Sequence, residues 1–366
     1  MKNLVLGAAL LAAAATTFHA PAYADGQERG RPTTIAVFGD WPYNQNLLDH
    51  APLLIDSVNA DPAVSLVLHV GDIHSGSMPC TSAGILPPIA TSDPGWNQRI
   101  YARFQQFRAP VIYTPGDNEW TDCHKAKEKS AGDPLKELAA VRSLFFARPG
   151  HSLGLTDMRV LSQAEMPDTA HPKDAQFVEN VMWHDGGVVY VTLNVPGSNN
   201  DTLPWSGTFN NPAAQAQEVL ERNEANQRWL QAAFRHAHAM HAHGVVIGLQ
   251  ADMWDPSAVT PGGDGLSAYT PFVRMLADLA LHFQRPVLVI NGDSHLYGGD
   301  RPLADPASPT GVIHGTPAVP NLQRVTVQGS TNGPAEWLRL TIDPHDPALF
   351  SWRNVPYCKD PLGSCL

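Results

Sequence analysis

Short apolar runs alternate with longer amphipathic stretches along most of this chain. The apolar runs predict strands, and they cover residues 34–38, 66–70, 111–114, 187–195, 245–249 and 287–290. Helical spacing of the apolar side chains between these runs predicts helices over residues 47–59, 96–107, 134–146, 212–239 and 271–283. We expect Pro52 to kink the first helix, because proline removes a backbone hydrogen bond.

The pattern changes towards the C-terminal end of the chain. Residues 323–327, 337–342 and 350–352 predict strands with no helices between them, and residues 149–173 lack a clear period and predict an insertion loop. Strands that first alternate with helices and then follow one another directly are typical of two sheets with helices outside. We therefore expect an α/β protein.

The composition indicates one large folded domain. The chain has 366 residues, of which 43% are hydrophobic, and no linker divides it. Its formal net charge is −11 and it has no basic run, which argues against a nucleic-acid polymer as partner.

The N-terminal residues are typical of a secretory signal peptide. Met1 and Lys2 precede an apolar stretch over residues 4–15, and residues 22–24, Ala-Tyr-Ala, form a cleavage signature of small residues. We predict a signal peptide over residues 1–24, a single mature domain over residues 25–366, and a periplasmic or secreted location. The apolar stretch is too short for a membrane span. An uncleaved anchor is the alternative.

Four cysteines follow the predicted signal peptide, and an even number in an exported protein favours disulfides. Three pairings are open. Cys358 and Cys365 are close together in a tail rich in proline and glycine, which favours that pair. A bond between Cys80 and Cys123 would join two loops that carry acidic motifs. A cysteine zinc site is the weaker alternative, because the chain has no CxxC motif.

Four apolar runs end in glycine followed directly by aspartate. These aspartates are Asp40, Asp72, Asp117 and Asp293, and His295 lies two residues beyond the last of them. Strands that end in this way place carboxylates at the rim of a sheet, where loops meet. Crowded carboxylates repel one another unless a positive charge lies between them. The sequence therefore predicts a metal site.

These motifs, in this order, resemble those of the calcineurin-like metallophosphoesterases, including the purple acid phosphatase branch. The segments that carry the resemblance are FGDWPYN, VGDIHSG, TPGDNEW, IGLQADMW and NGDSHLY, within residues 34–300. The resemblance implies a four-layer α/β/β/α sandwich of two mixed sheets flanked by helices. It also implies a hydrolase of small-molecule phosphomonoesters or phosphodiesters that uses a metal-activated hydroxide.

The resemblance further implies two metal ions bridged by one aspartate. The first ion would be held by Asp40, Asp72 and His295, and the second by Asp72, Asp117, Gln250 and Asp293. The second set consists almost entirely of oxygen ligands and suits Mg²⁺, Mn²⁺ or Ca²⁺, whereas the first set suits Fe, Zn or Mn.

The chain departs from the family pattern at several positions. Asp117 replaces the Asn ligand of the family, Gln250 replaces a lone His, and Asp293 replaces the first His of the GHxH motif. Asn118 replaces a catalytic His, and Pro42 stands where many members have a further ligand. The replacements after the first motif keep polar or metal-binding groups, so we interpret the site as a variant rather than a lost site.

The proton donor for the leaving group is the least specified part of the predicted site. Asn118 takes the position of the family's donor but cannot act as an acid, which leaves His74 and His124 as candidates. A hydrogen bond within its own loop is the alternative role of His74. We expect Glu119 to orient a ligand, and Asp252 is an alternative to Gln250 as ligand.

Two functions of different classes fit these patterns. The first is an exported metal-dependent phosphoesterase. The second is a non-catalytic secreted binding protein on the same fold, which the missing histidines favour. A serine hydrolase is excluded, because the chain has no GxSxG motif.

Overall fold

The computed structural model describes residues 31–80, 95–128, 132–166 and 168–365. The predicted signal peptide, residues 1–24, lies outside these ranges. Within them, no helix combines the length and the apolar character that crossing a bilayer requires.

Strands and helices alternate through most of the chain. The strands of the described residues are β1 (Thr33–Phe38), β2 (Val64–His69), β3 (Val111–Tyr113), β4 (Leu161–Ser162), β5 (Val181–Asp185), β6 (Val188–Thr192), β7 (Gly244–Gly248), β8 (Val287–Asn291), β9 (Gly298–Asp300), β10 (Leu322–Thr326), β11 (Ala335–Ile342) and β12 (Phe350–Cys358). The right-handed α-helices there are α1 (Gln45–Asp49), α2 (Ala51–Asn59), α3 (Trp96–Phe104), α4 (Pro134–Phe145), α5 (Pro212–Ala239), α6 (Thr270–Phe283) and α7 (Gly311–His314).

The strands form two mixed sheets. The first has five strands in the order β12-β11-β1-β2-β3, and the second has seven in the order β4-β5-β6-β7-β8-β10-β9. Strands β1, β2 and β3 are parallel, as are β6, β7, β8 and β10, while β4, β5, β9, β11 and β12 pair antiparallel with their neighbours. The carboxyl ends of parallel strands share one edge of a sheet, so the loops that follow them lie side by side.

Successive side chains of a strand point to different layers of the core. In β1, Ala36 and Phe38 pack against the helices, whereas Ile35 and Val37 lie between the two sheets. A third layer of core residues lies between the second sheet and helices α5 and α6. The predicted α/β/β/α sandwich of two mixed sheets flanked by helices is therefore confirmed.

Several elements differ from the sequence prediction. Two helices replace the single kinked helix predicted over residues 47–59, because α1 ends at Asp49 and Pro52 lies in the first turn of α2. The predicted insertion loop over residues 149–173 contains the short strand β4. The strand predicted over residues 187–195 is the second strand of a hairpin, and the sequence pattern does not predict its partner, β5.

Two disulfides are present, Cys80–Cys123 and Cys358–Cys365. The pair that the sequence favours at the C-terminal tail is confirmed. The Cys80–Cys123 bond joins the loop after β2 to the turn after β3, and the sulfur of Cys80 lies 3.1 Å from the carbonyl oxygen of Asn118. This bond therefore packs directly against the loop that carries Asn118. Both disulfides are consistent with an exported protein.

Loss of the Cys80–Cys123 disulfide should destabilise the protein more than loss of the Cys358–Cys365 disulfide. The two bonds span sequence separations of 43 and 7 residues. The chain entropy that each bond removes from the unfolded state then differs by roughly 1.5 kcal/mol. Urea unfolding of the two double-alanine variants measures the difference. Equal free energies of unfolding for the two variants would contradict this expectation.

Candidate metal centre

The loops after β1, β2, β3 and β8 bring four aspartates to one edge of the sandwich. These residues are Asp40, Asp72, Asp117 and Asp293, and as many as 253 positions separate them along the chain. Backbone contacts hold the loops together, since the N–H of Asp40 donates to the carbonyl of Gly71 at 2.9 Å and the N–H of Asp293 lies 3.2 Å from Asp40 Oδ1. The structure thus brings the four aspartates together, whereas their role as metal ligands stays a prediction.

Glycine allows two of these carboxylates to lie against a neighbouring backbone. A Cβ at Gly116 would overlap the carboxylate of Asp72, and a Cβ at Gly292 would overlap that of Asp40. The glycine of one Gly-Asp pair therefore makes room for the aspartate of another. This packing explains why glycine precedes aspartate at Gly116 and Gly292, since any side chain there would clash with a carboxylate.

Four residues of the site have a left-handed backbone conformation. The φ angle is 49° at Asp40, 60° at Asp72, 72° at Asp293 and 64° at His295. This conformation costs a residue with a Cβ roughly 1–2 kcal/mol, and it persists where the surrounding structure imposes it. The clustering of left-handed residues at this edge of the sheets indicates a candidate functional site.

Asp40, Asp72 and His295 form a compact group of possible ligands. One ligand atom from each lies within 4.8 Å of the other two, and His295 Nε2 is 3.3 Å from Asp40 Oδ1. The phenol oxygen of Tyr43 lies among them, 3.0 Å from Asp40 Oδ1, 2.9 Å from Asp72 Oδ2 and 3.1 Å from His295 Nε2. The sequence reasoning missed Tyr43, although its position three residues after Asp40 is a signal that could have identified it.

Four of the six distances among these atoms fit the spacing of ligands around a single metal ion. An ion that bonds its ligands at about 2.1 Å, with neighbouring bonds at right angles, keeps neighbouring ligand atoms about 3 Å apart. The distances from Tyr43 and between His295 and Asp40 span 2.9–3.3 Å, which matches this spacing. Two carboxylates, an imidazole and a phenol are suitable ligands for Mn, Fe or Zn.

The second predicted group of ligands has an amide nitrogen at its centre. Gln250 Nε2 lies 3.2 Å from Asp72 Oδ2, 3.3 Å from Asp117 Oδ1 and 3.2 Å from Asp293 Oδ1. Gln250 Oε1 accepts a hydrogen bond of 2.5 Å from the backbone N–H of Gly197. Because that N–H can only donate, the network assigns the amide oxygen to Gly197 and the nitrogen to the carboxylates.

The remaining oxygens of the second group also contact polar groups of the protein. The hydroxyl of Ser198 lies 3.0 Å from Asp117 Oδ2, and the backbone N–H of Asp252 donates to Asp293 Oδ2 at 3.1 Å. Gly197 packs so closely that a Cβ there would contact both carboxylates. The protein itself therefore fills the space between Asp117 and Asp293.

Glu119 and Asp252 support the site without facing the centre of either group. Glu119 Oε1 accepts hydrogen bonds from the backbone N–H groups of Asp72 and Gly116 at 3.2 and 2.7 Å, which holds the Asp72 loop in place. The carboxylate of Asp252 forms a largely buried ion pair with Arg324. The alternative in which Asp252 is the ligand instead of Gln250 therefore has no support.

Asn118 lies in the site, whereas neither predicted proton donor points into it. Asn118 Nδ2 donates to Asp72 Oδ2 at 2.9 Å. The buried His74 has its Nδ1 3.1 Å from the carbonyl oxygen of its neighbour in the loop, and His124 Nδ1 contacts Ser206. Burial lowers the pKa of His74 to about 4 and also lowers the pKa of His124. The prediction that either histidine donates a proton is therefore unsupported.

Burial and crowding raise the pKa of three carboxyl groups. Burial, followed by the charge of Asp117, raises the pKa of Asp72 and of Asp293 well above the ordinary value. Burial raises the pKa of Asp117 itself to about 6. Burial alone would lower the pKa of His295, but its hydrogen bond to Asp40 and the charge of that carboxylate raise it. The site therefore has an excess of negative charge that a cation would relieve.

A cleft of about 400 Å³ opens onto the carboxylates. Two lysines lie on its wall and share one carboxylate, since Lys125 Nζ is 2.7 Å from Asp122 Oδ1 and Lys127 Nζ is 3.1 Å from Asp122 Oδ2. Lys125 Nζ also donates to the hydroxyl of Ser198 at 2.7 Å. Positive charge is therefore available at the mouth of an otherwise acidic site.

Ser198 begins an unusual left-handed turn. All of residues 198–201 have positive φ, between 49° and 60°. The fully buried Arg222 holds this turn, because its guanidinium donates to the carbonyl oxygen of Asn200 at 3.1 Å and to the side-chain oxygen of the same residue at 2.5 Å. Asn199, Asn200 and Asp201 are of the types that tolerate left-handed backbone, but the local pattern does not predict four such residues in a row.

The chain matches no protein-family model and no curated protein sequence. Among solved structures it is similar to GAP50, described as the anchor in the inner membrane complex of Plasmodium. That similarity has a TM-score of 0.45 and 10% sequence identity and covers 90% of each chain. A similarity at this level carries no information about function.

The Asp117 carboxyl should contribute a loss of stability as the pH of the metal-free protein rises from about 4.5 to about 7.5. The pKa of Asp117 is about 6 in the folded protein and roughly 3.9 when unfolded. This carboxyl therefore binds more protons in the folded state in this interval, and its contribution to the free energy of unfolding falls by an amount on the order of 2 kcal/mol. Buried histidines with a lowered pKa, such as His74, contribute in the opposite direction, so the quantity to measure is the difference between the wild type and Asp117→Asn. Urea unfolding of both proteins in a chelator should show that Asp117→Asn gains stability relative to the wild type as the pH rises. A difference that stays constant over this interval would contradict the raised pKa of Asp117.

Proposed function

We propose that this chain is an exported, metal-dependent phosphoester hydrolase. The observation that carries the proposal is the grouping of Asp40, Asp72 and His295 around the phenol of Tyr43. The resemblance of the sequence motifs to the calcineurin-like metallophosphoesterases supports the same activity. The two disulfides and the N-terminal signal pattern support export.

The metal in this proposal is held by Asp40, Asp72, His295 and Tyr43. When bound, such an ion supplies a hydroxide nucleophile at neutral pH and a positive charge that polarises a phosphoryl group. Glu119 contributes indirectly, because its carboxylate fixes the backbone that presents Asp72. The left-handed backbone at the ligand positions fixes the direction of the side chains before an ion arrives.

Protein donors on the cleft wall stabilise the negative charge of the substrate. Lys125 and Lys127 present ammonium groups, which Asp122 holds in position. Asn118 presents an amide nitrogen next to Asp72. Donors fixed in this way stabilise charge that builds up on phosphoryl oxygens during the reaction.

The size and charge of the cleft favour a small substrate. Its volume of about 400 Å³ suits a small-molecule phosphoester. The net charge of −11 opposes long-range attraction of a nucleic-acid polymer.

A secreted binding protein on the same fold is the second candidate. One observation favours it, namely that the amide nitrogens of Gln250 and Asn118 already form hydrogen bonds with Asp72. Protein donors thus offset part of the negative charge that a cation would otherwise neutralise. Metal uptake with no turnover of any phosphoester would support this second function.

Removal and return of metal test the enzyme directly. After treatment with a chelator, the protein should hydrolyse an aryl phosphate only when Mn²⁺, Mg²⁺, Zn²⁺ or Fe is added. Asp72→Ala should lower kcat/KM by more than about 100-fold, because Asp72 belongs to both groups of carboxylates. Asp255→Asn at the rim of the cleft is the matched control and should keep kcat/KM within about 3-fold of wild type. Wild-type activity in the Asp72→Ala variant would contradict the proposal.

The enzyme should prefer esters whose leaving group is a weak base. His74 and His124 do not line the cleft, so a leaving oxygen departs without a proton from either histidine. We expect kcat/KM for an aryl phosphate to exceed that for an alkyl phosphate by more than about 100-fold, the range that general acid catalysis would otherwise supply. Steady-state kinetics on a matched pair of esters measures the ratio, and equal values would show that an acid is present.

A further inference from the structure

We infer that the site binds one metal ion per chain and that the side-chain amide of Gln250 occupies the place of a second ion. This inference rests on the proposed function, because it concerns the same site. It differs from the two-ion site that the sequence resemblance implies. The argument comes from the contacts of Gln250 and from the chemistry of its amide.

The amide nitrogen of Gln250 lies against the carboxylates that would have to bind the second ion. It lies 3.2–3.3 Å from one oxygen each of Asp72, Asp117 and Asp293, which are three of the four ligands predicted for the second ion. An amide NH₂ group has two hydrogens to donate and no lone pair to offer a metal. Gln250 in this orientation therefore satisfies the carboxylates as a donor and does not act as a ligand.

The contacts of Gln250 disfavour the flipped orientation of its side-chain amide. Turning the amide over would place its NH₂ group against the backbone N–H of Gly197, which now donates to Oε1 at 2.5 Å. Gln250 is completely buried, so water could not replace the lost hydrogen bond. A buried donor without a partner costs about 1–3 kcal/mol. The oxygen of Gln250 is therefore held away from the carboxylates.

The neighbouring carboxylates also make other contacts with the protein. The second oxygen of Asp117 faces Ser198, and the second oxygen of Asp293 accepts from the N–H of Asp252. Gly197 closes the space between the two carboxylates. A second ion would have to displace several of these contacts at once.

The first group of ligands differs in the atom that its members share. The phenol of Tyr43 lies 2.9–3.1 Å from atoms of Asp40, Asp72 and His295 and 3.2 Å from Asn118 Nδ2. Its oxygen, unlike an amide nitrogen, has lone pairs that can bind a cation. The atom that the second group shares is a nitrogen that can only donate. The group around Tyr43 therefore suits a metal ion. In the group around Gln250, the amide takes the place of the ion.

The number of bound ions tests the inference. The purified full chain is stripped with a chelator, reloaded with Mn²⁺, freed of excess metal by gel filtration and analysed by elemental mass spectrometry. We expect one Mn per chain. Two Mn per chain would overturn the inference and leave the proposed function intact. No bound metal, together with no phosphoesterase activity, would overturn both.

Substitution of Gln250 provides the sharper comparison. Gln250→Glu keeps an acceptor for Gly197 and places a carboxylate oxygen where the amide nitrogen now lies, so we expect two Mn per chain. Gln250→Leu removes the donor without adding a ligand and should bind one Mn. A Gln250→Glu variant that still binds one Mn would contradict the role assigned to the amide.

A second pair of variants keeps the inference testable if Gln250→Glu does not fold. Asp40→Asn removes a ligand of the single ion and should weaken Mn²⁺ binding by more than about 100-fold, whereas Asp117→Asn should weaken it by less than about 10-fold. Calorimetric titration of both variants and the wild type measures the affinities. Equal losses in the two variants would contradict the assignment of the ion to the first group alone.

Discussion

Repulsion among buried carboxylates is the constraint on which the rest of this site depends. Burial, and then the charges of Asp117, Glu119, Asp40 and Asp293, raise the pKa of Asp72 well above its ordinary value. Part of the charge is offset by amide, hydroxyl and imidazole groups of the protein itself. The proposed cation, next to Tyr43, Asp40 and His295, would offset the charge that remains.

The scaffold holds these groups together by several independent means. Gly116 and Gly292 provide the space that two carboxylates need, and left-handed backbone at the ligand positions directs the side chains inward. Glu119 and the Cys80–Cys123 disulfide fix the loops after β2 and β3. Burial of the hydrophobic layers on both faces of each sheet offsets the unfavourable free energy of the left-handed backbone. The fold therefore holds these side chains close together at one edge of the sandwich.

Much of the fold and part of the site can be predicted from the sequence. Strand–Gly–Asp units identify Asp40, Asp72, Asp117 and Asp293, because apolar runs and their ends are local signals. The orientation of Gln250 cannot be predicted in this way, because it depends on an N–H group of Gly197, which is 53 residues distant. The left-handed turn of residues 198–201 cannot be predicted in this way either, because the buried Arg222 on helix α5 holds it. Both features depend on tertiary contacts and not on the local sequence pattern.

Anomalous diffraction from crystals grown with Mn²⁺ tests the central claim most directly. The account predicts a single strong peak within bonding distance of Asp40, Asp72 and His295, with the phenol of Tyr43 as its neighbour. Crystals saturated with Mn²⁺ that show no peak at this position would contradict the account, because the convergent carboxylates would then have no cation to explain them.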